Sequence, residues 1–330
     1  MRGSVLVREC IGSAAPVADT RARRTAPEDG KAEAAARPRQ LVAAHPELRA
    51  LMGPAPVTAW FGIGAVALQT GVAIAIADAP WWALLLAAYS VGAVVSLALL
   101  VLVHETIHNL VFRRTDANIW LGIFINLPNL FPSATSFRKY HLAHHRHHGD
   151  PILDGDIPGE REVEWVGRSP ARKALWLFFM WAVQISRTRR MKSLAFADRW
   201  LFANVVAAGI FLLALAWTAG PGAIAYLFLS SIFGIGLHPL GARWIQEHHQ
   251  IADGQSTNSY YGPLNRLLFN AGYHHEHHDL AGIPWLHLPR VRRIAPEFYD
   301  GLHAHRSWTA LLLRFLFDRS MTLDQQRHTA

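Results

Sequence analysis

Three groups of closely spaced histidines are the residues of this sequence best suited to chemistry. They occupy the stretches His104-Glu-Thr-Ile-His108, His141-Leu-Ala-His144-His145 and His274-His-Glu-His277-His278. Neutral imidazole is a preferred ligand of iron, zinc and copper. Even without His275, these stretches hold eight imidazoles, which are too many for the coordination sphere of one ion. The sequence therefore predicts a site for two metal ions.

The spacing within each cluster has a geometric meaning if the cluster is helical. Each residue of a helix advances by about 100°, so His104 and His108 lie on one face and can hold a common centre. In each His-x-x-His-His stretch, we expect the first and fourth histidines to share a face. The fifth then points about 100° away, toward a second metal. Each of these two clusters is therefore expected to bridge two ions.

The remaining histidines carry a weaker signal. Four of them are scattered through a polar C-terminal region, where surface positions are the usual outcome. These are His287, His303, His305 and His328. Four others flank the clusters but point in different directions, so we expect them to be solvated or to contact ligands rather than to bind metal. These are His147, His148, His249 and His275.

Long apolar blocks must position these clusters. The chain is 51% hydrophobic and only 17% charged, which is unusual for a soluble domain. Four blocks approach the roughly 20 residues that a helix needs to cross a bilayer. They cover residues 58–77, 81–103, 200–219 and 222–238. The sequence predicts an all-α integral membrane protein with four transmembrane helices in two hairpins.

The distribution of basic residues predicts the orientation of the hairpins. The turns at 78–80 and 219–222 contain neither Lys nor Arg, and every basic residue lies before the first span, between 104 and 199, or after the fourth span. Basic loops stay on the cytoplasmic side. Both termini and all three clusters should then face the cytoplasm, in a bacterial inner membrane or in the endoplasmic reticulum.

The rest of the chain is expected to form one domain with two tails. Residues 1–37 resemble a disordered tail without the apolar core of a secretory signal. Residues 38–320 should form the membrane domain, and 321–330 a short C-terminal tail. Two further apolar stretches, 119–132 and 174–185, are too short or too interrupted to span. We expect them at the membrane interface, where they either roof a lipid tunnel or pack against the spans.

Composition excludes several function classes. The formal charge of +8 fits cytoplasmic loops that face anionic lipid, and no nucleic-acid motif accompanies it. The single cysteine, Cys10, excludes an iron–sulfur cluster held by this chain alone. No glycine-rich nucleotide loop follows a strand pattern, so no flavin or nicotinamide site is visible. Electrons for redox chemistry must therefore come from a separate protein.

Two other classes of function compete with a two-metal enzyme. His104-Glu105-Thr-Ile-His108 also matches His-Glu-x-x-His, in which two histidines bind zinc and the glutamate is the general base. Such an intramembrane protease needs one ion and one further ligand, so two clusters would stay unexplained. A histidine-rich membrane metal-binding protein explains the ligands without catalysis. It predicts ionisable residues within the spans, and the four spans have none near their midpoints.

The order of the clusters resembles that of the membrane fatty acyl desaturases and hydroxylases. Within that superfamily, the chain is similar to the sphingolipid Δ4-desaturases, or dihydroceramide desaturases, over roughly residues 40–318. The strings that carry the resemblance are His104-Glu-Thr-Ile-His-Asn109, Phe137-Arg-Lys-Tyr-His-Leu-Ala-His-His-Arg146, Ser259-Tyr-Tyr-Gly-Pro-Leu-Asn265 and Gly272-Tyr-His-His-Glu-His-His-Asp279. The resemblance implies a four-span stem with a cytosolic helical cap that holds two irons.

The resemblance also implies a ninth histidine ligand after the last span. His248 is our choice and His238 is the alternative. His238-Pro239 opens the segment at the membrane edge, where it can instead cap or kink a helix.

The expected reaction is oxidative. Removal of hydrogen from an unactivated alkyl chain needs a stronger oxidant than any side chain, so O2 is the expected co-substrate. The resemblance implies a trans double bond between C4 and C5 of dihydroceramide or a sphinganine-like base, with electrons from a cytochrome b5-like or ferredoxin-like donor. The same ligands permit C4-hydroxylation, and an acyl-lipid desaturase is a further alternative.

Polar side chains beside the clusters are candidates to support the ligands. A carboxylate can accept the outer N–H of a ligating imidazole and so fix its tautomer. The carboxylate candidates are Glu105, Glu247, Glu276 and Asp279. Asn109 is a candidate to orient a water or an amide. A solvated or helix-pairing role is an equally good interpretation of each.

Overall fold

The structure, a computed structural model, describes residues 28–252 and 254–327. It consists mainly of α-helices joined by short turns. The helices are α1 (Glu28–Ala44), α2 (Val57–Ala75), α3 (Trp81–Ala87), α4 (Ala93–Ile107), α5 (Thr115–Asn126), α6 (Ala134–Arg146), α7 (Glu160–Val166), α8 (Pro170–Phe178), α9 (Met180–Thr188), α10 (Arg199–Ile235), α11 (Arg243–His248), α12 (His274–Asp279), α13 (Leu288–Ile294), α14 (Pro296–Tyr299) and α15 (Trp308–Phe317).

Shorter elements connect these helices. A π-helical turn at Ala88–Gly92 joins α3 to α4. Two short parallel strands, β1 (Ser259–Tyr260) and β2 (Ala304–His305), pair Ser259 with Ala304 and Tyr260 with His305. The 3-10 helices are Pro46–Leu51, Leu127–Asn129, Pro239–Ala242, Pro263–Arg266 and Leu323–Gln326.

Among the described residues, three helical stretches are long and apolar enough to cross a membrane: Val57–Ala75, Trp81–Ile107 and Arg199–His248. The first two agree with the expected spans 58–77 and 81–103 to within four residues at each end. The second continues to Ile107, so His104 lies inside the helix rather than after it. The third stretch contains both remaining expected spans, with α10 as its main part.

The expected hairpins have turns that contact each other. In α10 the helix is interrupted at Gly220, whose φ of 77° is a left-handed conformation that favours glycine. Pro221 follows, and proline is well suited to restart a helix. A Cβ atom on Gly222 would collide with the backbone carbonyl of Ala77, in the turn after α2. The two turns therefore lie together at one end of the bundle.

Buried apolar packing fixes the helices that carry the histidines. α4 packs against α2, α5 and α10, and its side chains Leu99, Leu102 and Ile107 are buried in a common core. α11 packs against α15, where Trp308 and Phe315 are buried. Each fully buried side chain of this size stabilises the fold by roughly 1.5–3 kcal/mol. The histidines thus extend from rigid elements.

Both tails are shorter in the structure than the sequence predicts. α1 begins at Glu28, inside the segment 1–37, and Leu41 in the same helix packs with Val291 and Tyr299. At the other end, Met321 and Leu323 are buried, although they fall within the expected tail 321–330. The N-terminal boundary differs because α1 is anchored by Leu41, beyond the expected tail. The C-terminal boundary differs because Met321 and Leu323 pack into the core around Trp308. Residues 1–27 and 328–330 lie outside the described residues.

Candidate metal centre

Five imidazoles converge at the end of α4. His104 and His108 come from α4 and the residue after it, His141 and His145 from α6, and His277 from α12. Each offers a ring nitrogen within 4.8 Å of the others. Nε2 of His141 is 3.0 Å from Nε2 of His108 and 3.1 Å from Nε2 of His145. The Nε2 atoms of His145 and His277 are also 3.1 Å apart. These residues form the first histidine group.

Four further imidazoles lie directly beside them. His144 comes from α6, His248 from the end of α11, and His274 and His278 from α12. The Nε2 atoms of His248 and His274 are 3.1 Å apart, and those of His144 and His278 are 3.4 Å apart. These residues form the second histidine group. The two groups touch where the rings of His145 and His278 stack at 4.4 Å between centroids.

Each His-x-x-His-His stretch contributes to both groups, but the expected pairing of positions one and four is wrong. His141 and His145 lie in the first group, whereas His144 between them turns to the second. The third cluster follows the same rule, with His274 and His278 together in the second group. Helical positions four apart differ by only about 40° in direction, against about 60° for positions three apart. The i, i+4 pairs therefore share a centre.

The nitrogen separations fit two metal ions. Two ligands at right angles, each about 2.1 Å from an ion, lie about 3.0 Å apart. The Nε2 pairs of both groups are separated by 3.0, 3.1, 3.1, 3.1 and 3.4 Å. A donor set of neutral imidazoles suits iron, copper or zinc. Each group is therefore chemically suited to one ion.

The two candidates for the ninth ligand occupy different places. The His248 ring lies 4.7 Å from that of His144, within the second group. His238 instead accepts a hydrogen bond at Nδ1 from the Leu240 N–H at 3.1 Å, which caps the 3-10 helix Pro239–Ala242. Its ring packs on Tyr89. This geometry supports His248 over His238.

Two carboxylates that the sequence analysis missed support His144. Nδ1 of His144 donates to Oδ1 of Asp154 at 2.7 Å, and Oδ2 of Asp156 lies 3.6 Å from the same nitrogen. Nε2 of His144 is thereby left as the nitrogen that faces the second group. The available signal was an acidic pair, Asp154-Gly-Asp156, that begins ten residues after His144.

Glu105 and Asn109 bind groups at the end of α4. Oε2 of Glu105 accepts from the backbone N–H of Trp285 at 3.1 Å, and Oε1 lies 4.0 Å from Nδ1 of His104. Asn109 has a φ of 57°, a left-handed conformation that asparagine tolerates at helix ends. Its Oδ1 accepts from Arg138 at 3.2 Å. Arg138 thus ties α6 to the end of α4.

Glu247 is the expected supporting carboxylate that lies nearest to the second group. Both of its oxygens accept from Nη1 of Arg243 at 2.7 Å. One of them also lies 3.7 Å from Nδ1 of His274. A buried ion pair therefore stands directly behind a candidate ligand.

Glu276 and Asp279 bind partners on the outer side of α12. Glu276 accepts from the hydroxyls of Ser259 and Tyr261, each at 2.6 Å. Asp279 accepts from Nε of Arg37 at 3.0 Å. These contacts anchor α12 to β1 and α1. The expected contact of these two carboxylates with a ligating imidazole is not among them.

Burial and nearby carboxylates set the charge of the site. Burial lowers the pKa of His144, but Asp154 and Asp156 outweigh it and raise that pKa to about 9. Burial lowers the pKa of His148 to about 4. Burial, together with neighbouring imidazoles, also lowers the pKa of the other cluster histidines outside the spans well below 6.5. These are His108, His141, His145, His274, His277 and His278.

Two of the histidines that were not expected to bind metal are buried. His249 is inaccessible, and its Nε2 lies 2.8 Å from Oε1 of Gln325. His305 is buried in β2. The surface position expected for His305 is therefore wrong. His249, expected to be solvated or to contact a ligand, is instead covered by the C-terminal segment through Gln325. Others are partly buried: His147, His148, His275, His287 and His303. His328 lies outside the described residues.

A cavity of about 560 Å³ reaches the histidines. Its wall includes four members of the two groups: His104, His141, His274 and His277. Apolar side chains of α4, Leu97, Leu100 and Val101, line it further along, together with Phe131 and Trp181 from the two segments expected at the interface. Of the two roles considered for those segments, lining a tunnel is therefore the one that the geometry supports.

Polar side chains line the same cavity beside the histidines. They include Tyr140, Asp156, Arg243 and Glu247. Tyr140 precedes His141 in α6, while Asp156 lies 3.6 Å from Nδ1 of His144 and Glu247 lies 3.7 Å from Nδ1 of His274. The cavity thus combines a long apolar wall with a polar end at the candidate metals.

Comparison with known proteins identifies the family. The model of the family described as "Fatty acid desaturase" matches residues 79–310. The chain belongs to the fatty acid desaturase family. The matched segment of this desaturase contains every member of both histidine groups.

Named relatives of this desaturase cover most of its length. A Rattus norvegicus protein named sphingolipid delta(4)-desaturase/C4-monooxygenase DES2 is 39% identical over 287 residues, which is 86% of this chain and 88% of the relative. The Homo sapiens protein named sphingolipid delta(4)-desaturase DES1 is 36% identical over 299 residues, which is 87% of this chain and 88% of that relative. An Oryza sativa subsp. japonica protein named sphingolipid delta(4)-desaturase DES1-like is 36% identical over 87% of both chains. The resemblance inferred from the histidine strings is confirmed.

Proposed function

We propose that this desaturase introduces the trans C4–C5 double bond into the sphingoid base of dihydroceramide or a sphinganine-like base, using O2 and a non-haem di-iron centre. The relatives named above are similar over most of the chain and carry the name sphingolipid delta(4)-desaturase. The observation that carries the proposal is the cavity, because it brings an apolar wall and a polar end to the same imidazoles.

The two histidine groups are proposed to hold one iron each. The first iron would be bound by His104, His108, His141, His145 and His277, and the second by His144, His248, His274 and His278. When bound, the irons would activate O2 for removal of hydrogen from an unactivated C–H bond. The chain's own residues orient the imidazoles, hold the alkyl chain in the cavity and keep water away.

The proposed reaction requires an outside reductant. Desaturation breaks two C–H bonds and reduces one O2 to two waters. The two hydrogens removed from the substrate supply two electrons and two protons, and the other two of each come from the donor and solvent. We propose a cytochrome b5-like or ferredoxin-like protein as the donor, since the sequence has no recognisable flavin or nicotinamide motif.

The polar end of the cavity supports a sphingoid substrate over a mid-chain acyl substrate. C4 of a sphingoid base is bonded to the carbon that bears the C3 hydroxyl, and the C2 nitrogen is one bond further. Groups that bind this head must therefore lie within a few ångströms of the reacting carbons. The proposed head-binding groups are Tyr140, Asp156, Arg243 and Glu247. All four line the cavity, and Asp156 and Glu247 lie 3.6 and 3.7 Å from imidazole nitrogens of the second group. A mid-chain acyl substrate would be apolar on both sides of the reacting carbons.

The membrane arrangement forms part of the same proposal. We propose four spans in two hairpins, with α10 divided at Gly220, and a cytosolic helical cap that bears the histidines. The absence of Lys and Arg from residues 58–103 and 200–238 supports a cytoplasmic cap. The main domain would cover about residues 38–320, extended by the packed segments described above. The membrane is a bacterial inner membrane or that of the endoplasmic reticulum.

C4-hydroxylation is the second candidate reaction. The name of the Rattus norvegicus relative includes C4-monooxygenase as well as desaturase. Hydroxylation would break one C–H bond at C4, place one oxygen atom of O2 there and release the other as water. It uses the same cavity and the same two electrons from the donor.

The deciding experiment combines lipid analysis with metal analysis. Cells with and without this chain would be fed dihydroceramide deuterated at C4 and C5, and their lipids analysed by mass spectrometry. Loss of two deuterium atoms, with about two irons per purified chain, is expected. The His277→Ala variant should insert normally but form no product. A gain of one oxygen atom by the lipid would show that the chain is a C4-hydroxylase. Bound zinc together with unchanged lipids would overturn both the desaturase and the hydroxylase proposals, in favour of a protease or a metal-binding protein.

A further inference from the structure

His148 stands beside the second histidine group. It follows the end of α6, four residues after His144. Its ring centroid lies 5.1 Å from that of His144, 5.1 Å from that of His248 and 5.2 Å from that of His278. Within the group, the His144–His278 and His248–His278 separations are both 5.1 Å. His148 is therefore spaced from these rings as they are from one another.

The ring nitrogens of His148 lack the partners that a buried imidazole normally has. Both are buried, and neither has a hydrogen-bond partner among residues 28–252 and 254–327. Oδ2 of Asp154 is 3.8 Å from Nδ1, which is too far for a hydrogen bond. Buried polar atoms are nearly always paired in folded proteins. Ring nitrogens of His148, His144 and His248 lie within 4.8 Å of one another, so one metal ion can provide a partner.

Asp154 holds the loop that presents His148. Its Oδ1 accepts from His144, and its Oδ2 accepts from the backbone N–H of Gly149 at 2.8 Å. Gly149 has a φ of 78°, a left-handed conformation that turns the chain sharply after His148. The same carboxylate therefore positions a candidate ligand and the residue that follows His148.

We propose that His148 is a fifth imidazole ligand of the metal ion held by the second histidine group. The first group contains five imidazoles, and His148 gives the second group the same number. This inference rests on the proposed two-iron function and adds a ligand that the family resemblance did not imply. His147 offers a matched control, because it is also a partly buried histidine at the end of α6 but belongs to none of the groups of ring nitrogens that could hold a metal ion.

The test compares His148→Gly with His147→Gly in the full-length protein, loaded with 57Fe and purified in detergent. Mössbauer spectra should show two iron environments in the unchanged protein. In His148→Gly one environment should change and the other should stay, whereas His147→Gly should leave both unchanged. The chelator concentration that removes the more labile iron should fall by at least about tenfold in His148→Gly, since even supporting groups of metal ligands are worth about 10–100-fold in affinity.

A rescue experiment with free imidazole distinguishes a metal ligand from a residue that only packs beside the site. Added imidazole should restore the altered iron environment of His148→Gly, because a free imidazole can occupy the vacated space and bind the metal. If His148→Gly does not fold, His148→Gln provides the same spectral comparison with a side chain of similar length. Identical spectra and chelator sensitivity in the His148 variants and the unchanged protein would overturn the inference alone. If the protein without substitutions does not bind two irons, the proposed function itself would be overturned.

Discussion

The carboxylate of Asp154 accepts a 2.7 Å hydrogen bond from Nδ1 of His144, and both side chains are almost completely buried. This contact joins the loop after α6 to the second histidine group. It also fixes which nitrogen of His144 remains for a metal, because a carboxylate at Nδ1 leaves the lone pair on Nε2. Asp156 adds a second negative charge 3.6 Å from the same nitrogen.

Asp154→Asn should weaken metal binding at the second group. The amide lacks the negative charge and can also present its NH2 to the imidazole, so the tautomer of His144 is no longer fixed. Loss of such a partner typically costs about 10–100-fold in metal affinity. Iron content after graded dialysis against a chelator measures the effect. Asp116→Asn, in an exposed position on α5, is the control. Equal retention of both irons in the two variants would contradict this role of Asp154.

Metal binding should release about one proton per chain at pH 7.5. His144 is protonated in the metal-free protein, because its carboxylate neighbours raise its pKa to about 9, and a ligating imidazole must be neutral. Since this folded-state pKa lies above 6.5, the extra proton stabilises the metal-free protein below about pH 6.5. That contribution is lost as the pH rises through about 9.

Anaerobic calorimetric titration of Fe(II) in two buffers of different ionisation enthalpy counts the released protons. Asp154→Asn should reduce the release, because it removes the main charge that holds the proton on His144. Release of several protons would mean that other cluster histidines are also charged, and no release in the unchanged protein would mean that His144 is neutral.

His248→Ala and His238→Ala should behave differently. His248 belongs to the second group, whereas His238 caps a short helix with its Nδ1. We expect His248→Ala to lose product formation and one iron. His238→Ala should keep two irons and lose only the stability of a helix cap, about 0.5–2 kcal/mol. Iron analysis and product formation on the same samples provide the measurement, and the opposite pattern would make His238 the ligand.

The sequence predicted the features that depend on residue type and helical spacing. The histidine clusters, the first two spans and the turn at Gly220 could be read from short-range patterns, because each involves residues that are close in the chain. The pairing of His141 with His145, rather than with His144, required the actual directions of side chains on α6. Positions four apart are only about 20° closer in direction than positions three apart, so spacing alone did not decide between the two pairings.

Contacts between segments that are distant in the chain could not be predicted from the sequence. Asp154 and His148 lie in a loop whose path depends on the Gly149 turn, and no periodic pattern marks them. The burial of His249 depends on Gln325, 76 residues later in the chain. A polar C-terminal composition predicts exposure on average, but it does not show that Met321 and Leu323 pack into the core around Trp308 and Phe315.

Tyr140→Phe should weaken substrate binding without loss of metal. Tyr140 lines the cavity together with Asp156 and Glu247, and we propose that its hydroxyl binds the sphingoid head. A lost hydrogen bond of about 1.4 kcal/mol corresponds to a roughly tenfold increase in KM. Steady-state kinetics with dihydroceramide, alongside iron analysis, measure the change. Tyr89→Phe, at an exposed ring, is the control. An unchanged KM in Tyr140→Phe would remove this residue from the head-binding site.

Gly222→Ala should destabilise the bundle by disrupting the contact between its two turns. A methyl group at Gly222 would collide with the backbone of Ala77, which cannot move aside as a flexible side chain would. Forcing an extra methyl group into such a contact costs about 1–3 kcal/mol, so the melting temperature in detergent should fall by several degrees. Gly209→Ala in the same helix is the matched control, because the added methyl group has no atom within 4 Å. Alanine is the better helix former by about 0.5–1 kcal/mol, so this variant should melt at the same temperature or slightly higher. Equal melting of the two variants would show that the turns are not held together through Gly222.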